Sequence, residues 1–371
     1  MSTGCVVLDS TASGLQQFYS MLSADKAREA ARDLLCRAGA QGARVAVVYH
    51  ADADGTSSAA LVCFAVRALG GEVAPETPGK GDNVHGAAFG ARVRATGAAL
   101  AVVLDTGSRP GRPFAIPTLI VDHHRIDPAQ TPEVEAFVST LGDDPATSTS
   151  ALTYELLAAI APVAPRAWLA ALGLLGDLGD AARRHPLVAA AARQHGLTAL
   201  REAVALVNAA GRSAAHDAGV ALEALLEAER PADLARGGGE AARRLRALKE
   251  EVSAATRRAI RVAPRVHGRW AVIQLDEPYR IHGPVASAWT RRLPDRIVLV
   301  ANRGYMPGRV HFSVRSHRPL DLRAALAALL PDAGPDVAAG HDRATGGIVG
   351  AEEFDELLRR IQGEAARDAV A

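Results

Sequence analysis

Short apolar runs rich in β-branched residues alternate with stretches of helical length along the first part of the chain. RVAVVY at 44–49 is one such run, and it follows an Ala-rich helical stretch at 24–40 closed by Gly39. Positions 56–69 have helical length, open on Thr56, Ser57 and Ser58 as capping residues, and stop at Gly70 and Gly71. Two further runs, 100–104 and 118–121, end abruptly in acidic residues and read as buried parallel strands. This alternation predicts a doubly wound, mainly parallel α/β domain, whose ligands sit beyond the carboxyl ends of the strands. From 148 to 229 only helical patterns occur. PADLARGGG at 231–239 is the best linker, and a charged helical stretch follows it to 261. Strands at 269–274, 296–301 and 309–315, with helices near 285–292 and 320–330, predict a second, smaller α/β domain. The expected organisation is a catalytic domain at 1–235, a linker and connecting helix at 236–262, and a substrate-binding domain at 263–371.

Composition narrows the class. With 371 residues and 49% apolar content the chain supports two cores, which excludes a disordered or disulfide-stapled protein. The 42 basic and 41 acidic residues leave a net charge of +1, so no global field announces a polyanion. That balance hides a local bias, because positions 257–318 carry 13 arginines against three acids. Cys5, Cys36 and Cys63 match neither zinc nor redox spacing, which fits a reducing, cytoplasmic setting. No basic start followed by an apolar run and no spanning-length apolar stretch occurs, so no membrane association is expected.

The chemistry sits at the predicted strand ends. HADADG at 50–55 follows the first strand, and in extended backbone residues two apart share a face, so His50, Asp52 and Asp54 would project together. The bland alternative is a solvated loop whose aspartates cap the next helix. Asp105 ends the second run, Asp122, His123 and His124 follow the third, and Asp177 lies in GLLGDLGD at 173–180. Clustered carboxylates repel and raise one another's pKa unless cations neutralise them. Oxygen and imidazole ligands without thiolate favour a pair of Mn²⁺ ions, with Mg²⁺ possible. Such a pair activates water for in-line displacement at phosphorus, so phosphoester hydrolysis is the expected reaction class. No Gly-x-Ser-x-Gly or Walker pattern offers another route.

HADADG, LDTG, VDHH and GLLGDLGD resemble the four motifs of the DHH phosphoesterase superfamily, with adjacent Asp-His-His the specific signal. LVNAAGR at 206–212 is similar to a segment of RecJ-type members. FSVRS at 312–316 and AGHDRATG at 339–346 are similar to the DHHA1 substrate domain, although Ala338 and Ala339 stand where that family has glycines. The resemblance implies that His50, Asp52 and Asp105 hold one ion, and that Asp54, Asp105, His123 and Asp177 hold the other. It further implies that His124 faces substrate, that Asp122 orients an imidazole, and that Asn208, Arg212, Arg315, His341 and Arg343 contact substrate. The implied activity is RecJ-like hydrolysis of single-stranded DNA or RNA, or of short oligonucleotides, from an end. Two alternatives remain open: a small-substrate phosphoesterase (an oligoribonuclease, a nucleoside 3′,5′-bisphosphate phosphatase or a cyclic dinucleotide phosphodiesterase), and an inactive nucleic-acid-binding scaffold. Lys80 and His85 could reach substrate, Asp180 reads as a capping or surface residue, and His195, His216, His267, His282 and His317 read as surface or packing residues.

Overall fold

The structure, a computed structural model, describes residues 12–124, 131–140, 147–331, 337–341 and 344–368. The chain divides into two compact units. One comprises Met1–Asn208 with Ala218–Leu245, and the other Ala209–Asp217 with Arg246–Ala371.

The first unit opens with α1 (Ala12–Ala40), followed by β1 (Arg44–Tyr49), α2 (Ala53–Ala68), β2 (Glu72–Glu76), α3 (Ala87–Ala95), β3 (Leu100–Leu104), β4 (Thr118–Asp122) and β5 (Ala136–Ser139). The five strands are all parallel, in the order β2-β1-β3-β4-β5. Every residue of β3 and β4, and all but the first of β1, is buried, which is why these strands are continuous apolar runs. The edge strand β2, EVAPE, escapes that pattern: its two glutamates and Pro75 suit a strand with one unpaired side. Because the chain steps from β1 to β2 and then returns to place β3 on the far side of β1, the order reverses between β1 and β3. Their carboxyl ends therefore flank a crevice.

Helices α4 (Thr149–Leu157) and α5 (Ala167–Leu178) pack on α2. They are followed by α6 (Pro186–His195), α7 (Leu197–Arg212), α8 (Gly219–Glu227), α9 (Pro231–Arg236) and α10 (Glu240–Ala259). Positions 231–239, expected as a linker, thus contain a short helix. Pro231 occupies its first turn, the Asp233 carboxylate accepts the Arg230 N–H at 3.1 Å, Leu234 is fully buried, and Gly237 closes it in the left-handed region. The expected cap of α2 is also different. Asp52 caps it, with Oδ1 accepting from the Asp54 and Gly55 N–H groups, while Thr56, Ser57 and Ser58 are buried inside the helix.

The second unit is built on β6 (Arg265–His267), β7 (Trp270–Leu275), β8 (Ile297–Met306), β9 (Arg309–Ser316), β10 (Val337–His341) and β11 (Ala344–Gly350), in the order β10-β11-β9-β8-β7-β6. Among the described residues of this sheet, only β7 and β8 pair in parallel. Strand β7 shows the period-two logic. Trp270 and Val272 join Phe312, Val314 and the side chains of α12 (Leu322–Leu329) and α13 (Ala351–Asp368) on one face. Ala271 and Ile273 join Val252 and Ala255 of α10 and Val285 of α11 (His282–Arg292) on the other. Each large side chain fully buried in this way stabilises the unit by about 1.5–3 kcal/mol.

Candidate metal centre

Strand β1 ends at Tyr49 and α2 begins at Ala53, so strand alternation does not run through to Asp54. His50 lies at the strand end, Asp52 at the helix cap and Asp54 in the first turn of α2. Expected to share one face by strand alternation, the three side chains instead part into two groups. His50 and Asp52 meet Asp105 in one, and Asp54 meets Asp105, His123 and Asp177 in the other. A third grouping joins Asp105, His123 and His124, and within each group the potential ligand atoms lie within 4.8 Å of one another. Asp105 belongs to all three.

The individual distances trace this convergence. His50 Nδ1 lies 2.9 Å from Asp52 Oδ2 and 3.8 Å from Asp105 Oδ2. His123 Nε2 lies 3.1 Å from Asp177 Oδ2 and 3.6 Å from Asp105 Oδ1. Asp52 does both jobs weighed for it, capping α2 through one oxygen and facing His50 through the other. Asp105 adopts φ +60°, in the left-handed region, where a residue with a β-carbon is strained. Its main chain remains tied to β4 through its N–H and the Val121 carbonyl at 3.2 Å.

Burial and repulsion set the protonation of these groups. Asp54 is completely buried, and its pKa is pushed up to about 7 by burial first and then by Asp177. Burial and the charges of Asp54, Asp52 and Asp177 hold Asp105 well above the usual carboxylate range. Asp122 behaves oppositely. Burial pushes it up, yet the His124 ring bond and charge, with the His124 backbone N–H, outweigh that and leave its pKa lowered. Its other oxygen accepts the Gly107 N–H at 2.7 Å. For His124 the same pairing overcomes burial and raises the pKa to about 9. His123 is raised as well, because its bond to Asp177 and the charge of Asp54 outweigh desolvation.

Several supporting residues were not singled out from the sequence. The backbone N–H groups of Thr149 and Ser150, at the first turn of α4, donate to the two Asp54 oxygens at 2.7 and 2.9 Å. The Thr149 hydroxyl donates to Asp105 at 3.1 Å. A run of small hydroxylated residues, TSTS at 147–150, was the available signal, since such runs open helices whose N-termini hold anions. Gly173 lets α5 approach: a β-carbon there would lie 2.1 Å from Asp54 Oδ1 and 2.0 Å from Ser150 Oγ.

The expected substrate residues distribute unevenly. Asn208 is buried and its Oδ1 accepts the Ala53 N–H at 2.9 Å, so that amide braces the first turn of α2. Arg212 and Arg315 belong to the second unit. His341 ends β10, paired with Ala344, whereas Arg343 lies outside the described residues. Asp180, expected to be a capping or surface residue, pairs with Arg201, and Arg318, one of the arginines of the 257–318 excess, pairs with Asp295. Three more arginines of the 257–318 excess, Arg258, Arg269 and Arg303, pair with Glu277, Glu364 and Asp355. His282, expected to be a surface or packing residue, is held well below its ordinary pKa by burial and then by Arg280, His311, Arg212 and Arg315. No helix among the described residues is long and apolar enough to cross a membrane.

Strand-end carboxylates and imidazoles gathered at the switch point of a parallel sheet define an α/β protein with residues that could hold metal ions. Residues 44–176 match the DHH family, N-terminal domain. The fold of the chain is RecJ-like. RecJ from Thermus thermophilus in complex with Mn²⁺ superposes with a TM-score of 0.66 at 22% identity, over 92% of this chain and 55% of that one. This chain thus spans about half the length of that relative. An exonuclease RecJ bound to manganese gives a TM-score of 0.62 at 23% identity, covering 92% of this chain and 94% of the other. The DHH domain of a protein described as a member of the s1p family of ribosomal proteins gives 0.65 at 16% identity, covering 92% of each chain. No curated protein sequence matches the chain.

Proposed function

We propose that this protein is a metal-dependent phosphodiesterase that hydrolyses single-stranded nucleic acid or short oligonucleotides from an end. The observation that carries this reading is the position of Asp105, buried and common to every potential ligand group among the described residues. A divalent cation pair fits these residues on physical grounds. Burial and neighbouring carboxylates raise the pKa of two enclosed acids, a repulsion that cations would relieve, and the donors are oxygen and imidazole without thiolate. His50, Asp52 and Asp105 would hold one ion, and Asp54, Asp105, His123 and Asp177 the other, Mn²⁺ being favoured over Mg²⁺. When bound, such ions supply Lewis acidity to a phosphoryl group and acidify water.

The remaining roles belong to the chain itself. Asp122 accepts from His124 Nδ1 and so turns Nε2 of that ring outward, where it can donate to a phosphoryl oxygen or to the departing alkoxide. With its pKa near 9, His124 holds that proton at neutral pH. The α4 N-terminus keeps Asp54 aimed while leaving the outer lone pairs of its oxygens for coordination. Arg212 and Arg315 suit phosphate oxygens, for which a planar guanidinium offers paired donors. Relatives described as exonuclease RecJ with manganese support the same class.

The deciding experiment is a digest of end-labelled DNA and RNA strands of several lengths with Mn²⁺ or Mg²⁺. Stepwise shortening from one end supports the exonuclease reading. Strong preference for dinucleotides redirects it to the small-substrate phosphoesterases, and no cleavage with either ion overturns it.

A further inference from the structure

Between β3 and β4 the chain runs through TGSRPGRPFAIP at 106–117. Its three prolines fix their own φ, and Gly107 and Gly111 take the left-handed region at φ +70° and +86°. A loop stiffened in this way has little left to order when a ligand arrives.

Contacts to the rest of the first unit hold it further. The Gly107 N–H donates to Asp122 Oδ2 at 2.7 Å, Gly111 bridges Pro132, and the Gly111 carbonyl accepts the Glu133 N–H at 3.0 Å. Arg112 Nη1 donates to Glu135 Oε1 at 2.9 Å, while Glu135 Oε2 accepts the Thr118 N–H at 2.7 Å. The turn before α3 is set by Asn83, whose Oδ1 accepts the His85 N–H at 3.0 Å and whose carbonyl accepts the Gly86 N–H at 2.9 Å.

This loop and this turn line a partly enclosed cavity of about 180 Å³. Val103 of β3, Ile120 of β4 and Phe114 of the loop contribute apolar surface, each still 3–5% exposed, and the half-buried Val84 of the turn adds more. His85, half-buried, and the exposed Arg109 and Arg112 supply its polar lining.

Size and chemistry select the occupant. An apolar cavity of about 150 Å³ is enough for a benzene ring, whereas pockets for drug-sized molecules begin near ~300 Å³. One flat ring system fits, and a longer chain does not. Guanidinium groups beside such a ring stack on its face, and their N–H groups, with an imidazole, suit the polar edge of a heteroaromatic ring over a plain hydrocarbon. Position narrows the choice again. Gly107 stands two residues from Asp105, at most about 7 Å along the chain, and its N–H holds the carboxylate that orients His124. A phosphodiester at the candidate metal centre therefore brings a neighbouring base to this cavity.

We propose that the cavity between the 106–117 loop and the turn before α3 takes a nucleobase beside the scissile phosphodiester, with Val84 and Phe114 packing on the ring and Arg109 and Arg112 stacking at its edge. That the ring is a nucleobase rests on the phosphodiesterase reading; that the cavity takes a single ring does not.

The test uses the full chain in chelator, so that nothing turns over. Adenosine and cytidine are titrated separately while the methyl ¹³C resonances are followed, with Ile120 assigned from Ile120→Val. Ribose is the counterpart without a base, and benzene is the apolar control. At least one nucleoside should move the Ile120 signal to saturation, and ribose should not. Val84→Trp, which fills the cavity from the turn, should weaken that nucleoside about tenfold, the size of a lost stacking contact. In the hydrolysis assay, a strand made abasic at a nucleotide flanking the scissile bond should lose about tenfold in kcat/KM with wild type. With Val84→Trp the same abasic strand should lose less than about twofold, because one contact cannot be lost twice. An Ile120 signal that neither nucleoside moves, that ribose moves equally, or that answers to benzene alone overturns the proposal. Nucleoside binding as expected in a protein that cleaves no strand sinks the phosphodiesterase reading and leaves the cavity a ring site. Cleavage indifferent to an abasic nucleotide sinks the nucleobase assignment and leaves that reading standing. The nucleoside titrations do not need Val84→Trp, so they decide the matter even where that variant does not fold.

Discussion

Asp122 Oδ1 lies 2.7 Å from His124 Nδ1 and also accepts the His124 backbone N–H, so one buried carboxylate fixes both the ring and the main chain of its neighbour two residues on. Asp122→Asn keeps the shape but removes the charge that raises the His124 pKa to about 9. The expected outcome is a fall in that pKa toward the ordinary histidine value and a loss of activity of about 10–100-fold, typical for partners of this kind. A pH–rate profile beside an imidazole NMR titration checks both. An unchanged profile would falsify the role given to His124.

Asp105→Asn should abolish binding at both proposed positions, whereas Asp177→Asn should weaken one, because only Asp105 is common to all the groups. Calorimetric titration with Mn²⁺ separates the two outcomes. In chelator, Asp105→Asn should melt at or above wild type, since it removes a buried carboxyl surrounded by Asp54, Asp52 and Asp177. With Mn²⁺ present the order should invert, because a ligand that binds only the native state stabilises it.

Mn²⁺ affinity should tighten as pH rises toward and through 7. Asp54 keeps its proton to about pH 7 and Asp105 and His123 are raised too, so at lower pH the ion must displace protons. The metal-free fold should respond with the opposite sign. An acid with a folded pKa near 7 and an unfolded value near 3.8 binds more protons native than unfolded between those limits. Its contribution to stability is therefore present at low pH and lost as pH rises through 7. Melting curves at several pH values, in chelator and in Mn²⁺, should show the two trends diverging.

Gly173→Ala places a β-carbon 2.0 Å from Ser150 Oγ and 2.1 Å from Asp54 Oδ1. Overpacking of this kind costs typically about 1–3 kcal/mol. Here it should also displace Asp54, so Mn²⁺ affinity should fall along with the melting temperature. Gly219→Ala, where a β-carbon meets open space, is the control and should alter neither.

Much of the centre was legible before folding because strand ends are readable. Apolar runs that stop abruptly at Asp105 or at Asp122, His123 and His124 mark the carboxyl edge of a buried sheet, and both runs form the strands expected. The edge strands β2 and β5 were missed, since a half-exposed strand lacks a continuous apolar run. Strand β6 escaped for the same reason, being only three residues long and mostly exposed. The cap of α2 was misplaced because three hydroxyl residues at 56–58 mimic a helix start, while Asp52 makes the actual bonds four residues earlier.

The sequence alone determined which residue types end the strands, since that depends only on local hydrophobic pattern and motif spacing. Tertiary structure decided which oxygens and imidazoles gather around Asp105. Thr149 and Ser150 reach Asp54 across 95 and 96 residues, Asn208 braces Ala53 across 155, and the Gly173 contact exists only because two helices touch. The charged groups around His282 likewise need β9, α11 and the 209–217 segment brought together in the second unit. Such contacts arise from packing between distant segments, and no local period or propensity encodes them.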